Sequence, residues 1–230
     1  MTATPECSIL NYRQPVSRSY LVTALYIAIA LICAYLLGSI PSAYIVGKMQ
    51  KKADIRSVGT RNMGAMNVFY EIGFWWGLVV LVVDIGKGVA AMAIAEALKV
   101  NEYVYLLSGM VAVLGHSFPI FLGFKGGKGG ATSIGVLIYL MKPWAVLING
   151  GLFAVLFLIS RTPTISYGLA FICYPFIAWF MFDKKWEWIV FTVALLLIPL
   201  IRYIPRIKEM RDKAGNWRHV FQRKSVSDRF

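Results

Sequence analysis

Long apolar runs separated by short polar segments occupy most of the chain. The runs are apolar around the whole helix circumference rather than along one stripe, which is typical of helices that cross a membrane. A spanning helix needs about 20 residues, so the short run at 131–141 is extended back through the preceding glycines to about residue 126, as a thin or tilted span. The pattern predicts an all-α, polytopic membrane protein with seven transmembrane helices. The apolar runs cover residues 20–37, 74–95, 103–122, 131–141, 144–160, 164–182 and 186–201.

Composition supports the same class of protein. The chain is 58% hydrophobic and only 15% charged, well above the apolar share of soluble domains. Its net charge of +13 suits a membrane protein whose lysines and arginines collect in cytoplasmic loops. These basic residues are divided among loops and a tail with no recognisable binding module, so no nucleic-acid partner is expected. The three cysteines are too few and too scattered for a disulfide framework or a metal site, and neither a metal nor a cofactor is expected.

The distribution of lysine and arginine predicts how the helices are oriented. With the N-terminus outside, the inside segments carry 17 basic residues and the outside segments carry 6. This asymmetry favours an outside N-terminus and a cytoplasmic C-terminus, because basic residues near span ends stay in the cytoplasm. The inside segments are 47–73, 123–130, 160–163 and the tail from residue 202.

The chain is thereby divided into three parts. We expect residues 1–19 to form an extracellular N-terminal segment, residues 20–201 a seven-helix transmembrane domain that holds any functional site, and residues 202–230 a basic cytoplasmic tail. The first apolar run is long and leads into Gly38–Ser42 without a signal-peptide pattern, so we expect it to be retained as a helix. The positive tail favours contact with anionic headgroups, which makes membrane lipids expected partners.

A glycine-rich segment, His116–Thr132, interrupts the apolar runs. Glycine lets backbone N–H groups converge, because it has no Cβ to block close approach. Converging amides beside Lys125 and Lys128, with a helix beginning just after them, make an anion-binding site. The spacing of a Walker P-loop is absent. The alternative is a flexible linker whose lysines flank a membrane span.

Other polar residues lie close to this predicted site or within the spans. Asp84 and Lys87 are three residues apart on one helix, so they share a face and can pair. Ionisable groups inside a span usually face the bundle interior or a polar cavity, and this pair is either a structural staple or part of the site. Asn62 and Asn67 either cap a helix or bind a ligand hydroxyl or phosphate, and capping is the expected role of one of them.

The inventory of reactive side chains restricts the possible chemistry. No Ser–His–Asp set, cysteine nucleophile or metal-ligand cluster stands out in the sequence. Lysine, arginine, asparagine, serine and glycine amides remain, and such donors suit phosphate binding and oxyanion stabilisation. A reaction that fits uses an activated donor that already carries phosphate. The alternative from a different class is a transporter or receptor for a phosphorylated or other anionic solute.

Four groups of polar and glycine-rich residues form a set of motifs along the chain. They are Gly38-Ser39-Ile40-Pro41-Ser42-Ala43-Tyr44, Gly64-Ala65 with Asn67, Asp84-Ile85-Gly86-Lys87-Gly88, and Gly115 to Pro119 with Phe124 to Gly129. These motifs resemble the signatures of the PlsY family, the bacterial membrane glycerol-3-phosphate acyltransferases that use acyl phosphate rather than acyl-CoA. The resemblance covers about residues 20–215. It implies seven transmembrane helices, an active site facing the cytoplasm from the bacterial plasma membrane, and acyl phosphate with glycerol 3-phosphate, or a related phosphorylated acceptor, as substrates.

Two motifs depart from the family pattern. The second usually reads Gly-Ser-Gly-Asn-x-Gly-Ala-Thr-Asn, and here Arg61 replaces its second glycine and Met66 its threonine. The third normally reads Arg-His-Arg-x-Asn-Ile, and residues 202–207 keep arginine and isoleucine but lack the histidine and asparagine. The departures concern the acceptor more than the donor, because the glycine–lysine segment is intact. A PlsY-like paralogue that acylates another phosphorylated acceptor is therefore an alternative.

The expected roles follow from the reaction. His116 is the candidate general base because histidine is the side chain that ordinarily titrates near neutral pH, although the phosphate oxygen of the substrate could serve instead. Ser39 is expected to donate to a phosphate or to the carbonyl oxygen, and Lys128 to stabilise the departing phosphate. These three are the expected catalytic residues. The expected substrate-binding residues are Lys125, Gly126, Gly127, Gly129, Asn62, Asn67, Lys87, Lys48, Arg161, Arg202 and Arg206.

Overall fold

A computed structural model describes residues 18–51, 54–141, 143–161, 163–181 and 186–216. Within these ranges the regular structure is helical, which confirms the all-α prediction. The predicted extracellular segment 1–19, except for its last two residues, and the end of the predicted tail from residue 217 lie outside the described residues. The helices are α1 (Arg18–Ser39), α2 (Ser42–Lys51), α3 (Ala65–Glu71), α4 (Phe74–Ala97), α5 (Glu102–Ser117), α6 (Gly130–Leu140), α7 (Pro143–Ser160), α8 (Pro163–Phe171), α9 (Tyr174–Met181) and α10 (Trp186–Ala214).

Four helical segments of the described chain are long and apolar enough to cross a membrane. Three shorter apolar helical segments accompany them. The helical membrane class predicted from hydropathy is confirmed at this level, whereas the count of seven spans and the orientation of the termini stay predictions. The long segments are Tyr20–Lys51, Phe74–Ala97, Glu102–Leu122 and Trp186–Ala214, and the shorter ones are Gly130–Leu140, Trp144–Ser160 and Ile165–Met181.

Three helix boundaries differ from the prediction. α6 begins at Gly130 rather than near residue 126, because the preceding glycines form an irregular loop. The apolar run 164–182 is not one helix: α8 ends at Phe171 and α9 begins at Tyr174, just before Pro175, whose nitrogen has no hydrogen to donate to the preceding turn. α10 does not end near residue 201 but continues to Ala214, so the predicted start of the tail is not a break in the helix.

Glycines bring the central helices into backbone contact. A Cβ added at Gly38 of α1 would collide with the carbonyl of Ala112 on α5, and one at Gly135 of α6 would collide with the carbonyl of Ile85 on α4. Small residues at such crossings let membrane helices approach closely enough for van der Waals attraction between their backbones. These crossings hold α1 against α5 and α4 against α6.

Most of the buried apolar residues that the structure describes form two large clusters and a small one of three alanines. The larger involves α4 to α10 and contains Met92, Val113, Leu137 and Leu195 among its buried residues. The second packs α2, the 3₁₀ turn Ile55–Ser57 and α3 against α4. The cavity described next is lined by residues from both sides, so it lies between the two clusters.

Candidate active site

The glycine-rich segment forms a loop between α5 and α6. Gly129 adopts a φ of 85° and is the N-cap of α6, a left-handed conformation that glycine adopts at little energetic cost. A Cβ at Gly127 would collide with the imidazole of His116, and one at Gly126 with the backbone oxygen of His116. The N–H of Gly127 donates to that same oxygen at 3.1 Å. The missing Cβ atoms therefore let the loop lie directly against His116, and the predicted helix start beside it is confirmed.

A buried charged cluster lies next to His116. Asp84 Oδ1 accepts hydrogen bonds from Lys87 Nζ and Ser42 Oγ, each at 2.6 Å, and Lys87 Nζ also donates to the Ile40 carbonyl at 2.5 Å. Asp84 is 0% exposed and Lys87 is 4% exposed. The predicted pairing of these two residues is confirmed. His116 Nδ1 lies 3.7 Å from Asp84 Oδ1, close enough for the carboxylate to stabilise a positive charge on the imidazole.

A cavity of about 310 Å³ opens beside this cluster. One part of its wall is polar and comes from α4, α5 and the glycine loop. The wall from α7 to α9 is apolar apart from Asn149 and tyrosine hydroxyls. The same cavity is therefore bordered both by charged groups and by a hydrocarbon-like surface. The residues that line it are Asn62, Gly64, Ala65, Met66, Leu81, Asp84, His116, Lys128, Gly129, Gly130, Ala131, Ile134, Val146, Asn149, Gly150, Phe153, Tyr167, Ala170, Phe171, Tyr174 and Tyr203.

Lys128 supplies the cationic group of the loop that reaches the cavity. Its Nζ lies 4.0 Å from the ring centroid of Tyr203, within the range of a cation–π interaction. Burial lowers the pKa of Lys128 to about 7, and the positive charges of Arg206 and Arg202 act in the same direction. The carboxylate of Glu209 acts in the opposite direction but does not offset these effects, so the protein compensates the positive charge of the ammonium group only weakly. An anion in the cavity would stabilise its charged form.

Arg202 of α10 contacts the back of the same loop. Its Nη2 donates to the carbonyls of Gly126 and Gly127 at 3.2 Å, and to the carbonyl of Ser117 at 3.4 Å. The guanidinium carbon also lies 5.0 Å from the ring centroid of Phe118. Since the N–H of a trans peptide points away from its C=O, holding these carbonyls directs the following amides away from Arg202. The guanidinium of Arg202 thus accounts for the hydrogen bonds of these loop carbonyls. It also keeps their oxygen atoms away from the opposite side of the loop, where they would repel a bound anion.

Sequence comparison places the chain among known proteins. A family model described as "Glycerol-3-phosphate acyltransferase" matches residues 28–213. The chain belongs to this glycerol-3-phosphate acyltransferase family. It is 46% identical over 205 residues to glycerol-3-phosphate acyltransferase 2 of Dehalococcoides mccartyi (strain ATCC BAA-2266 / KCTC 15142 / 195), covering 88% of this chain and 97% of the relative.

Solved structures resemble this family member as well. A crystal structure of PlsY (YgiH), an integral membrane glycerol 3-phosphate acyltransferase in its glycerol 3-phosphate form, is 30% identical with a TM-score of 0.74, covering 82% of this chain and 92% of that one. The lysophosphatidic acid form of PlsY is 28% identical with a TM-score of 0.73, covering 87% and 96%. The resemblance to PlsY drawn from the sequence motifs is confirmed.

The two asparagines predicted for the acyltransferase site are placed differently. Asn62 lines the cavity. Asn67 is fully buried: its Oδ1 accepts from the N–H of Thr60 at 2.9 Å, and its Nδ2 donates to the carbonyls of Ile55 and Val58 at 2.9 and 3.1 Å. Asn67 therefore holds the loop before α3. The expectation that one of the asparagines caps this helix is wrong, because its N-cap is Gly64.

The remaining predicted residues lie around the cavity rather than in its wall. Ser39 is fully buried, and its Oγ donates to the Gly115 carbonyl at a long 3.4 Å. Lys87 is already bonded within the charged cluster. The others are outside the described wall: Lys48 and Lys125 are exposed, Arg161 is exposed at the end of α7, and Arg206 pairs with Glu209 at 2.7 Å.

Four polar residues of the wall were not predicted as site residues, namely Asn149, Tyr167, Tyr174 and Tyr203, and the first two tie helices together. Asn149 of α7 donates from Nδ2 to the Ala170 carbonyl at 2.7 Å, which ties α7 to α8. Tyr167 of α8 donates from its hydroxyl to the Gly130 carbonyl at 2.7 Å, which ties α8 to the first residue of α6. An asparagine inside an apolar run was a usable sequence signal, because polar groups in spans usually face the bundle interior. Tyr167 carried no such signal.

Proposed function

We propose that this family member is a membrane acyltransferase that moves a fatty acyl group from acyl phosphate to glycerol 3-phosphate. The acceptor hydroxyl oxygen forms an ester bond to the acyl carbonyl carbon, and the bond from that carbon to the phosphate oxygen breaks. The hydroxyl loses its proton to a base, and the products are lysophosphatidate and inorganic phosphate. Family membership supports the acceptor, and the two PlsY structures in glycerol 3-phosphate and lysophosphatidic acid forms support it further.

The observation that carries the proposal is the dual nature of the cavity wall. Lys128 and His116 supply polar groups to the cavity wall, and Phe153 and Phe171 supply apolar surface to the wall of the same cavity. A substrate with a phosphate head and a hydrocarbon tail needs both in one space. Among the described residues that line the cavity there is no serine, threonine or cysteine. This composition favours direct transfer between the two substrates, since the usual hydroxyl and thiol nucleophiles for an acyl-enzyme intermediate are missing from the wall.

The proposed roles build on the contacts of the site. Lys128 and the amide of Gly129, two residues of the cavity wall, stabilise the departing phosphate. The predicted Gly126 and Gly127 lie outside the described wall, and the Gly127 N–H already donates to the His116 carbonyl, so they shape the loop instead. His116 takes the proton of the acceptor hydroxyl, and the Asp84 carboxylate at 3.7 Å stabilises the imidazolium that results. In the alternative, a phosphate oxygen of the substrate takes the proton. The cavity faces the cytoplasm of a bacterial cell, as the distribution of basic residues favours.

The test is an acylation assay with purified protein. Wild-type protein given palmitoyl phosphate and glycerol 3-phosphate should release phosphate and form lysophosphatidate, and Lys128→Ala should be much slower. The variant must first match the thermal stability of wild type in the same detergent. Failure of wild type to exceed Lys128→Ala would contradict the proposal. Product formed only with another phosphorylated alcohol would instead identify a paralogue with a different acceptor.

A further inference from the structure

Helix α7 presents one face to the cavity, and that face contains a gap. Val146, Asn149, Gly150 and Phe153 all line the cavity, and their spacing of three and four residues places them on one side of the helix. No described atom lies within 4 Å of a Cβ added at Gly150. Gly150 is nevertheless exposed as well as cavity-lining. It therefore marks a place where the cavity opens to the outside of the helix bundle.

The outer face of α7 shows what the opening meets. Leu147 is 74% exposed and Leu158 is 75% exposed. Large apolar side chains at this exposure on a membrane protein indicate a surface in contact with lipid chains. Gly151 lies on this outer face, four residues from Leu147, and is not part of the described cavity wall. The opening at Gly150 thus joins the cavity to a lipid-facing surface.

We propose that Gly150 is a specificity-determining residue that leaves room for long acyl chains to pass from the cavity towards the lipid. The inference rests on the proposed function, because it takes the acyl chain of the donor as the occupant of the apolar wall. Charged groups occupy the other part of the wall, so the chain has to run along Val146, Phe153 and Phe171. A side chain at position 150 would stand in that path. The enzyme would then accept only chains that end before it.

The matched pair Gly150→Leu and Gly151→Leu isolates this effect. Both replace a helical glycine of α7 with the same residue, so both raise helix propensity alike. Neither added Cβ meets a described atom within 4 Å, so neither is expected to disturb the packing of the helix backbone. They differ in that position 150 lines the cavity and position 151 does not. Gly150→Ala provides a smaller step, in case leucine prevents folding.

The assay compares kcat/KM for acyl phosphates of increasing chain length at a fixed concentration of glycerol 3-phosphate. Each methylene that loses its buried position lowers kcat/KM by up to about fourfold, which corresponds to ~0.8 kcal/mol. Gly150→Leu should keep its rate with an eight-carbon donor and lose at least tenfold with a sixteen-carbon donor. Gly151→Leu should follow wild type at every length. An equal change at all lengths in Gly150→Leu, or the same selectivity change in Gly151→Leu, overturns the inference.

A binding measurement separates this inference from the proposed function. Lysophosphatidates with acyl chains of eight and of sixteen carbons should both raise the midpoint of thermal unfolding of wild type and of Gly151→Leu. For Gly150→Leu, only the lysophosphatidate with the eight-carbon chain should raise this midpoint. If wild type forms no acylated product but this pattern holds, the proposed reaction fails and the chain-binding role of Gly150 stands. If wild type is active and Gly150→Leu responds to both lengths, the role of Gly150 fails and the reaction stands.

Discussion

Replacing Arg202 should impair use of the acyl phosphate donor more than binding of the acceptor. The sequence predicted that Arg202 binds substrate, and the altered third motif connected it with the acceptor. In the structure its guanidinium holds the carbonyls of Ser117, Gly126 and Gly127 on the back of the glycine loop. The N–H groups of Phe118 and Gly127 hold two of these peptides through the carbonyls of Leu114 and His116. Without Arg202, the peptide that follows Gly127 can turn its oxygen towards the place where the departing phosphate would bind. The loss should therefore appear in the transition state of phosphate departure.

The size of the effect follows from the contacts that are lost. A hydrogen bond to a charged group contributes about 1.5–3 kcal/mol. The contacts of Arg202 are long, at 3.2 to 3.4 Å, and share one donor group, so a total near 2–3 kcal/mol is expected rather than a full sum over the bonds. Since about 1.4 kcal/mol corresponds to a factor of ten in rate, Arg202→Ala should lower kcat/KM for acyl phosphate by roughly 30- to 150-fold.

Steady-state kinetics with each substrate varied in turn provide the measurement. Arg202→Ala should change KM for glycerol 3-phosphate by less than about threefold, and Arg202→Lys should recover only part of the rate, because an ammonium group cannot reproduce the planar fork. Arg211 lies on the exposed end of α10 and pairs with Asp212. Arg211→Ala is therefore the matched control, and its kinetic constants for both substrates should equal those of wild type. A rise confined to KM for glycerol 3-phosphate would refute the reasoning and support direct binding of the acceptor.

Two further predictions concern the polar wall of the cavity. His116→Ala should lower kcat by roughly 100- to 10,000-fold with little change in KM for acyl phosphate if His116 is the general base, and retention of most of kcat would show that the substrate phosphate takes the proton. Lys128 carries its charge below its pKa of about 7 and loses it above, so KM for acyl phosphate should rise between pH 7 and 9 by at most tenfold per pH unit. Lys128→Arg keeps its charge throughout this range and should flatten the profile, and an unchanged rise in this variant would assign the titration to another group.

Features that depend only on residues close together in the sequence could be predicted from the sequence. The apolar runs predicted helices because a membrane requires every backbone polar group to be satisfied within the segment. The spacing of Asp84 and Lys87 predicted their pairing, since residues three apart on a helix are neighbours wherever the helix lies. The density of glycine before α6 predicted a loop against a helix start, which the structure places at Gly130. The signature motifs likewise identified the family.

What only the tertiary structure decided is which donors are already occupied and which face the cavity. The sequence predicted a place in the site for Asn67 and Arg202 as well as for Asn62 and Lys128. In the structure the first two are bonded to backbone carbonyls, and the last two line the cavity. Arg202 meets Gly127 across 75 residues of sequence, and Ser42 meets Asp84 across 42. A side chain's capacity to bind a ligand depends on the carbonyls and charges that distant segments bring to it. Those partners are set by how the helices pack, and the local pattern that determines each helix does not contain them.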